Sequence, residues 1–137
     1  MKKIRTVFKF KPFSKKQRKV LNWWTENSLV KDKDGIIADG SIRSGKTVSM
    51  SLSYVIWAMS TFVECNFGMC GKTIGSFRRN VLNILKLMLW SRGYKLKDHR
   101  ADNMVEISKN GVTNYFYVFG GKDESSQDLI QGITLAG

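Results

Sequence analysis

The eight residues "GSIRSGKT", residues 40–47, decide which fold this 137-residue chain is expected to adopt. Gly40, Gly45, Lys46 and Thr47 occupy the fixed positions of the phosphate-binding loop pattern G-x-x-x-x-G-K-[ST]. Glycine permits backbone conformations that a Cβ forbids, so such a loop can wrap closely around an anion. Lys46 would reach the β- and γ-phosphates of a nucleotide, and the hydroxyl of Thr47 would be a ligand of Mg²⁺.

The neighbouring segments supply the strand, loop and helix order that this motif requires. "IIAD", residues 36–39, is a short apolar run that predicts a buried strand leading into the loop. "VSMSLSYVIWAMSTF", residues 48–62, fits both periodicities, but its length without Gly or Pro favours a helix. The N–H groups of the loop and of the first helical turn would then converge on a phosphate. The expected binding residues of the loop are Gly40, Ser41, Ile42, Arg43, Ser44, Gly45, Lys46 and Thr47.

Arg43 is the unusual residue of the loop, and two roles are open for it. It could stabilise charge on the γ-phosphate, as arginine fingers do, and act with Lys46 as a catalytic residue. It could equally point to solvent or pair with a carboxylate. Its position in the loop does not fix its direction.

Other local signals complete the expected fold. Ser14 and Gln17 form a capping-box pattern at a helix start. "NFGMCG", residues 66–71, predicts a strand, and "SFRRNVLNILKLMLWSRG", residues 76–93, predicts a helix that ends near Gly93. Asn110-Gly111 predicts a tight antiparallel hairpin. The expected class is α/β, resembling P-loop NTPases, with a central, mostly parallel sheet, helices on both faces and one antiparallel hairpin.

The composition is basic: 23 Lys and Arg against 11 Asp and Glu give a formal net charge of +12, which favours a polyanionic partner such as nucleic acid. No apolar run reaches the roughly 18 residues of a transmembrane helix, so no membrane partner is expected. Cys65 and Cys70 form neither a disulfide framework nor a zinc-site spacing, which predicts reduced, buried thiols in a cytosolic protein. His99 is the one histidine, which argues against a histidine-rich metal site.

A complete ATPase also needs an acidic strand that binds Mg²⁺ and activates water. Asp123 and Glu124 follow an apolar run, but two glycines and Lys122 intervene, which favours a surface acidic pair. Residues 1–137 therefore predict the N-terminal portion of a P-loop ATPase domain that ends before this strand. We expect little ATP turnover from these residues on their own.

The ordered set of "FSKKQRKVLNWW", "GSIRSGKT", "GKTIGSFRRNVLNIL" and "FGGKDESSQDLIQGITLAG" resembles the N-terminal ATPase part of the large terminase subunit of tailed phages. This resemblance implies an ATP- and Mg²⁺-dependent motor that moves double-stranded DNA into a procapsid. It also implies a contact between Gln17 and adenine. The implied partners are the portal protein, the small terminase subunit and further copies in a ring, in the host cytoplasm.

Two departures from the family pattern matter: the acidic strand and the C-terminal nuclease domain are both missing. Arg43 also stands three residues before Lys46, whereas some loops of the family place their arginine one residue earlier. Two alternatives remain open. One is another nucleic-acid-dependent P-loop ATPase, such as a helicase. The other is a truncated, non-catalytic, basic nucleic-acid-binding protein.

Overall fold

The computed structural model describes residues 12–40, 45–122 and 132–137. Two helices come first, α1 (Lys15–Leu21) and α2 (Lys46–Thr61), followed by strand β1 (Asn66–Gly71). One continuous helical segment follows, made of α3 (Ile74–Phe77), a π-helical turn (Arg78–Leu82) and α4 (Asn83–Ser91). The remaining elements are β2 (Lys95–His99), a 3₁₀ turn (Arg100–Asp102), β3 (Met104–Lys109) and β4 (Val112–Gly120). Within these described residues, no helix is long and apolar enough to cross a bilayer.

The four strands form one sheet in the order β1-β4-β3-β2. β1 pairs with β4 in parallel, while β4 with β3 and β3 with β2 are antiparallel. The α/β class is confirmed. The sequence predicts a mostly parallel sheet, but two of the three strand pairs in the described sheet are antiparallel.

The described helices pack on one face of this sheet. Alternate residues of the strands point to that face and are fully or almost fully buried, because side chains along a strand alternate between its faces. They meet the buried stripe of α2 and the apolar side of the helical segment 74–91. The main contributors are Leu52, Val55, Ala58, Phe67, Met69, Leu82, Leu85, Met88, Leu89, Val105, Ile107, Phe116 and Val118. The sequence predicts helices on both faces of the sheet, but the described residues form helices on one face only.

Local signals in the sequence are confirmed where they specify turns and helix ends. Asn110 and Gly111 both have positive φ, 51° and 78°, as a two-residue hairpin turn requires. Gly93, with φ 85°, follows α4 and donates to the carbonyl oxygen of Trp90, while Tyr94 donates to that of Leu89. This pair of hydrogen bonds closes the helix end as a Schellman motif.

The expected buried strand at residues 36–39 is wrong for the described structure. The segment forms no strand pairing, and Ile37 is 96% exposed. Backbone groups form a strand only beside another strand, and the free edge of β1 is already occupied by residues 134–137. The N–H of Ala136 donates to the backbone oxygen of Asn66 at 2.7 Å, and the N–H of Gly68 donates to the backbone oxygen of Gly137 at 2.9 Å.

The two cysteine thiols are free, but they are not both buried as expected. Cys65 is half-buried and Cys70 is exposed. Cys70 belongs to the strand face away from the helices, and so it does not reach the core. The acidic pair Asp123 and Glu124 falls outside the described residues.

An ionic cluster ties the helical segment to the edge strand β2. Oδ2 of Asp98 accepts from Arg78 at 2.7 Å and from Lys86 at 2.6 Å, and the Asp98 side chain is only 16% exposed. Burial raises the pKa of this carboxyl, but the hydrogen bonds and charges of Lys86 and Arg78 together outweigh burial. The pKa of Asp98 is therefore below its ordinary value of 3.8.

The substitution Asp98→Asn should destabilise the protein by about 3 kcal/mol near neutral pH, because it leaves two partly buried cations without their counter-charge. The pKa of Asp98 is lower in the folded protein than in the unfolded chain. The ionised carboxylate therefore stabilises the fold above the unfolded pKa, and this stabilisation is lost as the pH falls through the folded pKa. The difference between wild type and variant should therefore shrink below about pH 4. Urea denaturation across this range measures it, with Asp102→Asn, on an exposed residue, as the control. A difference that stays constant with pH would contradict the assignment.

Candidate functional site

The two ends of the glycine-rich loop are joined by one polar contact. The ammonium group of Lys46, the first residue of α2, donates to the backbone oxygen of Gly40. The loop residues between them, Ser41, Ile42, Arg43 and Ser44, lie outside the described residues. Gly40 and Lys46 thus bracket the segment that the sequence marks as phosphate-binding.

Gly45 is the residue at which the loop becomes a helix, and its conformation strongly favours glycine. It caps the start of α2 with φ 80°, a left-handed conformation that disfavours any residue with a Cβ. A Cβ placed there would also collide with Nε2 of Gln17. Gln17 is held by the capping box of α1: its Oε1 accepts from the N–H of Ser14 at 2.8 Å. The structure therefore brings the side chain of Gln17 against the phosphate-loop motif.

The first turn of α2 has the features of an anion site. In the described structure no side chain caps it by a hydrogen bond, and the turn contains no acidic residue. The N–H groups of a helix's first turn have no partner within the helix and carry partial positive charge. Thr47 is exposed in this turn. An anion at this place would meet N–H groups, the hydroxyl of Thr47 and the ammonium group of Lys46 together.

Helix α1 is fixed against α2, so the position of Gln17 relative to the loop is not accidental. Ser53 on α2 donates to the backbone oxygen of Val20 at 2.7 Å. The rings of Trp23 and Trp57 lie 5.9 Å apart, which adds an aromatic contact between the two segments.

A cleft of about 350 Å³ opens beside the first turns of α2 and extends to the carboxyl end of β1. Its polar and charged lining residues are Thr47, Ser51, Lys72, Ser76 and Asn80, with Cys70 and Gly71 at the strand end. None of these described residues is acidic. The cleft therefore favours a negatively charged ligand.

The cleft lies where parallel α/β sheets commonly bind ligands, at the carboxyl ends of their strands. β1 and β4 run in parallel and end together, and the N–H of Gly121 donates to the oxygen of Gly71 at 2.9 Å. A Cβ at Gly71 would lie 2.8 Å from the Cβ of Phe77, so the helical segment approaches the strand end closely. This packing fixes the wall of the cleft opposite Thr47.

The chain is similar to solved structures of the large terminase of a thermophilic bacteriophage. One is 72% identical with a TM-score of 0.90, and the match covers 93% of this chain and 31% of that one. The structure of that terminase in complex with ADP is 71% identical with a TM-score of 0.86, covering 91% and 31%. The complex with ATP-γ-S is 67% identical with a TM-score of 0.84, covering 92% and 30%.

The chain belongs to the phage large-terminase family. It spans about 31% of the length of the terminase structures that it matches. No protein-family model and no curated protein matched the sequence.

For this terminase chain, the structure assembles only part of the expected site. Gln17, Gly40, Gly45, Lys46 and Thr47 are described and lie around the start of α2, whereas the middle of the loop is not described. Sequence reasoning missed the contribution of Lys72 and Asn80. The signal for Lys72 is that "GKT", residues 71–73, stands at the end of a predicted strand. The signal for Asn80 is its place about two helical turns after Lys72 in the following predicted helix. Among the described residues, no group of three or more His, Cys, Asp or Glu could hold a metal ion.

The close approach of Gly45 and Gln17 predicts a coupled effect of substitutions. Gly45→Ala should destabilise the protein by about 2 kcal/mol, because it adds left-handed strain and a steric collision. In a Gln17→Ala background the collision is absent, so the added loss should fall to the strain of about 1 kcal/mol. Chemical denaturation of the four proteins of this double-mutant cycle measures the coupling, with Gly35→Ala, where a Cβ meets no atom within 4 Å, as the control. Strictly additive losses would show that Gln17 does not limit the space at Gly45.

Proposed function

We propose that this chain is the ATP-binding part of a viral DNA-packaging motor, the large terminase, which couples ATP hydrolysis to the translocation of duplex DNA into a procapsid. The observation that carries the proposal is its 72% identity, over 93% of its length, to the large terminase of a thermophilic bacteriophage. Structures of that terminase hold ADP and ATP-γ-S, and they match this chain at 71% and 67% identity.

The triphosphate would bind where residues 40–47 meet α2. Lys46 would exchange its contact with the Gly40 oxygen for the β- and γ-phosphates, because charged phosphate oxygens are stronger acceptors than a carbonyl. Backbone N–H groups of Ser41, Ile42, Ser44 and Gly45 would surround the β-phosphate. Arg43 and Lys46 would stabilise the charge of the transferred phosphoryl group.

The adenine would lie beside Gln17. The carboxamide of this residue is already oriented by Ser14 and adjoins Gly45, so it stands next to the phosphate loop. The capping role and a contact with the base are compatible, because a carboxamide has two donor hydrogens and two acceptor lone pairs.

Thr47 would supply one protein ligand of Mg²⁺. Magnesium prefers oxygen ligands and commonly takes one or two from the protein and the others from phosphates and water. The hydroxyl of Thr47 has no hydrogen-bonding partner among the described residues and is exposed at the first turn of α2. When bound, the ion would neutralise charge on the phosphates, while Thr47 orients it and Lys46 holds the phosphate oxygens.

The partner would be double-stranded DNA, held through its phosphates. A formal net charge of +12 suits a sequence-independent contact whose affinity falls steeply with salt. In the working motor, we infer further contacts with the portal protein, the small terminase subunit and other copies in a ring at the procapsid vertex, in the host cytoplasm.

Nucleotide binding gives the direct test of this function. Lys46→Ala should weaken ATP-γ-S binding by at least about a hundredfold, because it removes a charge-assisted contact to the phosphates. Circular dichroism should show an unchanged fold, since Lys46 is not part of the core. Lys95→Ala, which removes an exposed lysine from the far strand β2, is the control. Unchanged affinity in Lys46→Ala would contradict the loop assignment.

Hydrolysis is a separate prediction. The 137 residues should release phosphate from ATP slowly, because Asp123 and Glu124 follow two glycines and a lysine rather than an apolar strand. A phosphate-release assay on these residues and on the longest gene product that contains them measures the difference. Fast turnover by residues 1–137 that disappears in Glu124→Gln would show that the acidic pair is catalytic after all.

A further inference from the structure

We propose that the cleft between α2 and the carboxyl end of β1 receives the terminal phosphate of the nucleotide. In this proposal Lys72 is the residue that makes the site bind a triphosphate more tightly than a diphosphate. The inference rests on the proposed function, because it assigns a further residue to the same nucleotide site. It concerns a part of the site that lies outside the phosphate-loop motif.

The chemistry of the cleft matches a phosphate group. Its polar lining consists of hydroxyls, one carboxamide and one ammonium group, contributed by Thr47, Ser51, Ser76, Asn80 and Lys72. Thr47, Asn80 and Lys72 can donate hydrogen bonds to a ligand, whereas the hydroxyls of Ser51 and Ser76 donate to the backbone oxygens of Thr47 and Thr73. The described lining contains no carboxylate that would repel an anion. At about 350 Å³, the cleft has room for one phosphate group and its water.

Three of these donors have no partner among the described residues. Among the described residues, no hydrogen bond or ion pair is formed by three side-chain groups: the ammonium group of Lys72, the carboxamide of Asn80 and the hydroxyl of Thr47. Two cations of the neighbouring helical segment, Arg78 and Lys86, both pair with Asp98. Within the described part of the chain, Lys72 is therefore an uncompensated positive charge at the mouth of a donor-lined cleft.

The cleft continues directly from the phosphate-loop motif. Thr47 belongs both to the motif and to the cleft lining, and it follows Lys46 in the first turn of α2. Ser51 lies one helical turn further on, and its hydroxyl donates to the backbone oxygen of Thr47 at 2.6 Å. A nucleotide held by its β-phosphate at the loop would thus direct one additional phosphate toward Lys72, whereas a diphosphate would not reach it.

The wall that carries Lys72 is held in place by its neighbours. Thr73 caps the start of the helical segment, and its hydroxyl accepts from the N–H of Ser76 at 3.1 Å. Gly71 lies against Phe77, so closely that a side chain at this position would require a shift. The backbone at Lys72 is consequently fixed on both sides, and its exposed side chain would be ordered by the phosphate that it meets.

The experiment compares ATP-γ-S and ADP binding by calorimetry, with the longest gene product that contains these residues. Lys72→Ala should weaken ATP-γ-S binding by about tenfold, the loss of one charge-assisted hydrogen bond, and change ADP affinity less than about twofold. Lys72→Arg should restore most of the preference for ATP-γ-S. Asn80→Ala should shift the same ratio in the same direction, and Lys95→Ala, at the opposite edge of the sheet, should shift neither affinity.

Three results would overturn the inference. Lys72→Ala could match Lys95→Ala, it could weaken ADP and ATP-γ-S equally, or it could change only the affinity for duplex DNA. Lys46→Ala separates these failures from a failure of the proposed function. If Lys46→Ala abolishes nucleotide binding while Lys72→Ala has no selective effect, the function stands and the role of Lys72 is wrong. If Lys46→Ala leaves binding intact, the proposed nucleotide site itself is wrong.

Discussion

The ammonium group of Lys46 donates to the backbone oxygen of Gly40, and this contact joins the two ends of the glycine-rich loop. Because Lys46 opens α2, the contact ties the loop to the helix whose first-turn N–H groups favour an anion. Gly45 adds a second constraint, since its left-handed backbone disfavours any residue with a Cβ, and a Cβ there would displace the neighbouring carboxamide of Gln17. The loop ends, helix α1 and helix α2 therefore hold one another in place.

The sheet places these elements beside a polar cleft. β1 and β4 end together in parallel, and the helical segment after β1 packs closely on the strand end through Phe77 and Gly71. Asp98 holds the same segment from the other edge of the sheet, through Arg78 and Lys86. The fold thus fixes both walls of the cleft, α2 on one side and residues 70–80 on the other.

Most features that could be predicted from the sequence depend on neighbouring residues, and strand β1 (Asn66–Gly71), whose partner is distant, is the exception. The helix beginning at Lys46 and the hairpin turn at Asn110 and Gly111 are each specified by a few adjacent side chains. The strand expected at residues 36–39 is wrong, because the open edge of β1 is already paired with residues 134–137. The π-helical turn at Arg78–Leu82 has no sequence signal that we can identify. The cleft was missed because its residues come from separate segments that meet only in the fold.

A crystal structure of this protein with ATP-γ-S tests the central claim most directly. We expect phosphate oxygens to lie about 3 Å from the ammonium group of Lys46, between Gly40 and Gly45, with the loop wrapped around them. A nucleotide bound elsewhere, with the ammonium group of Lys46 still on the Gly40 oxygen, would contradict it.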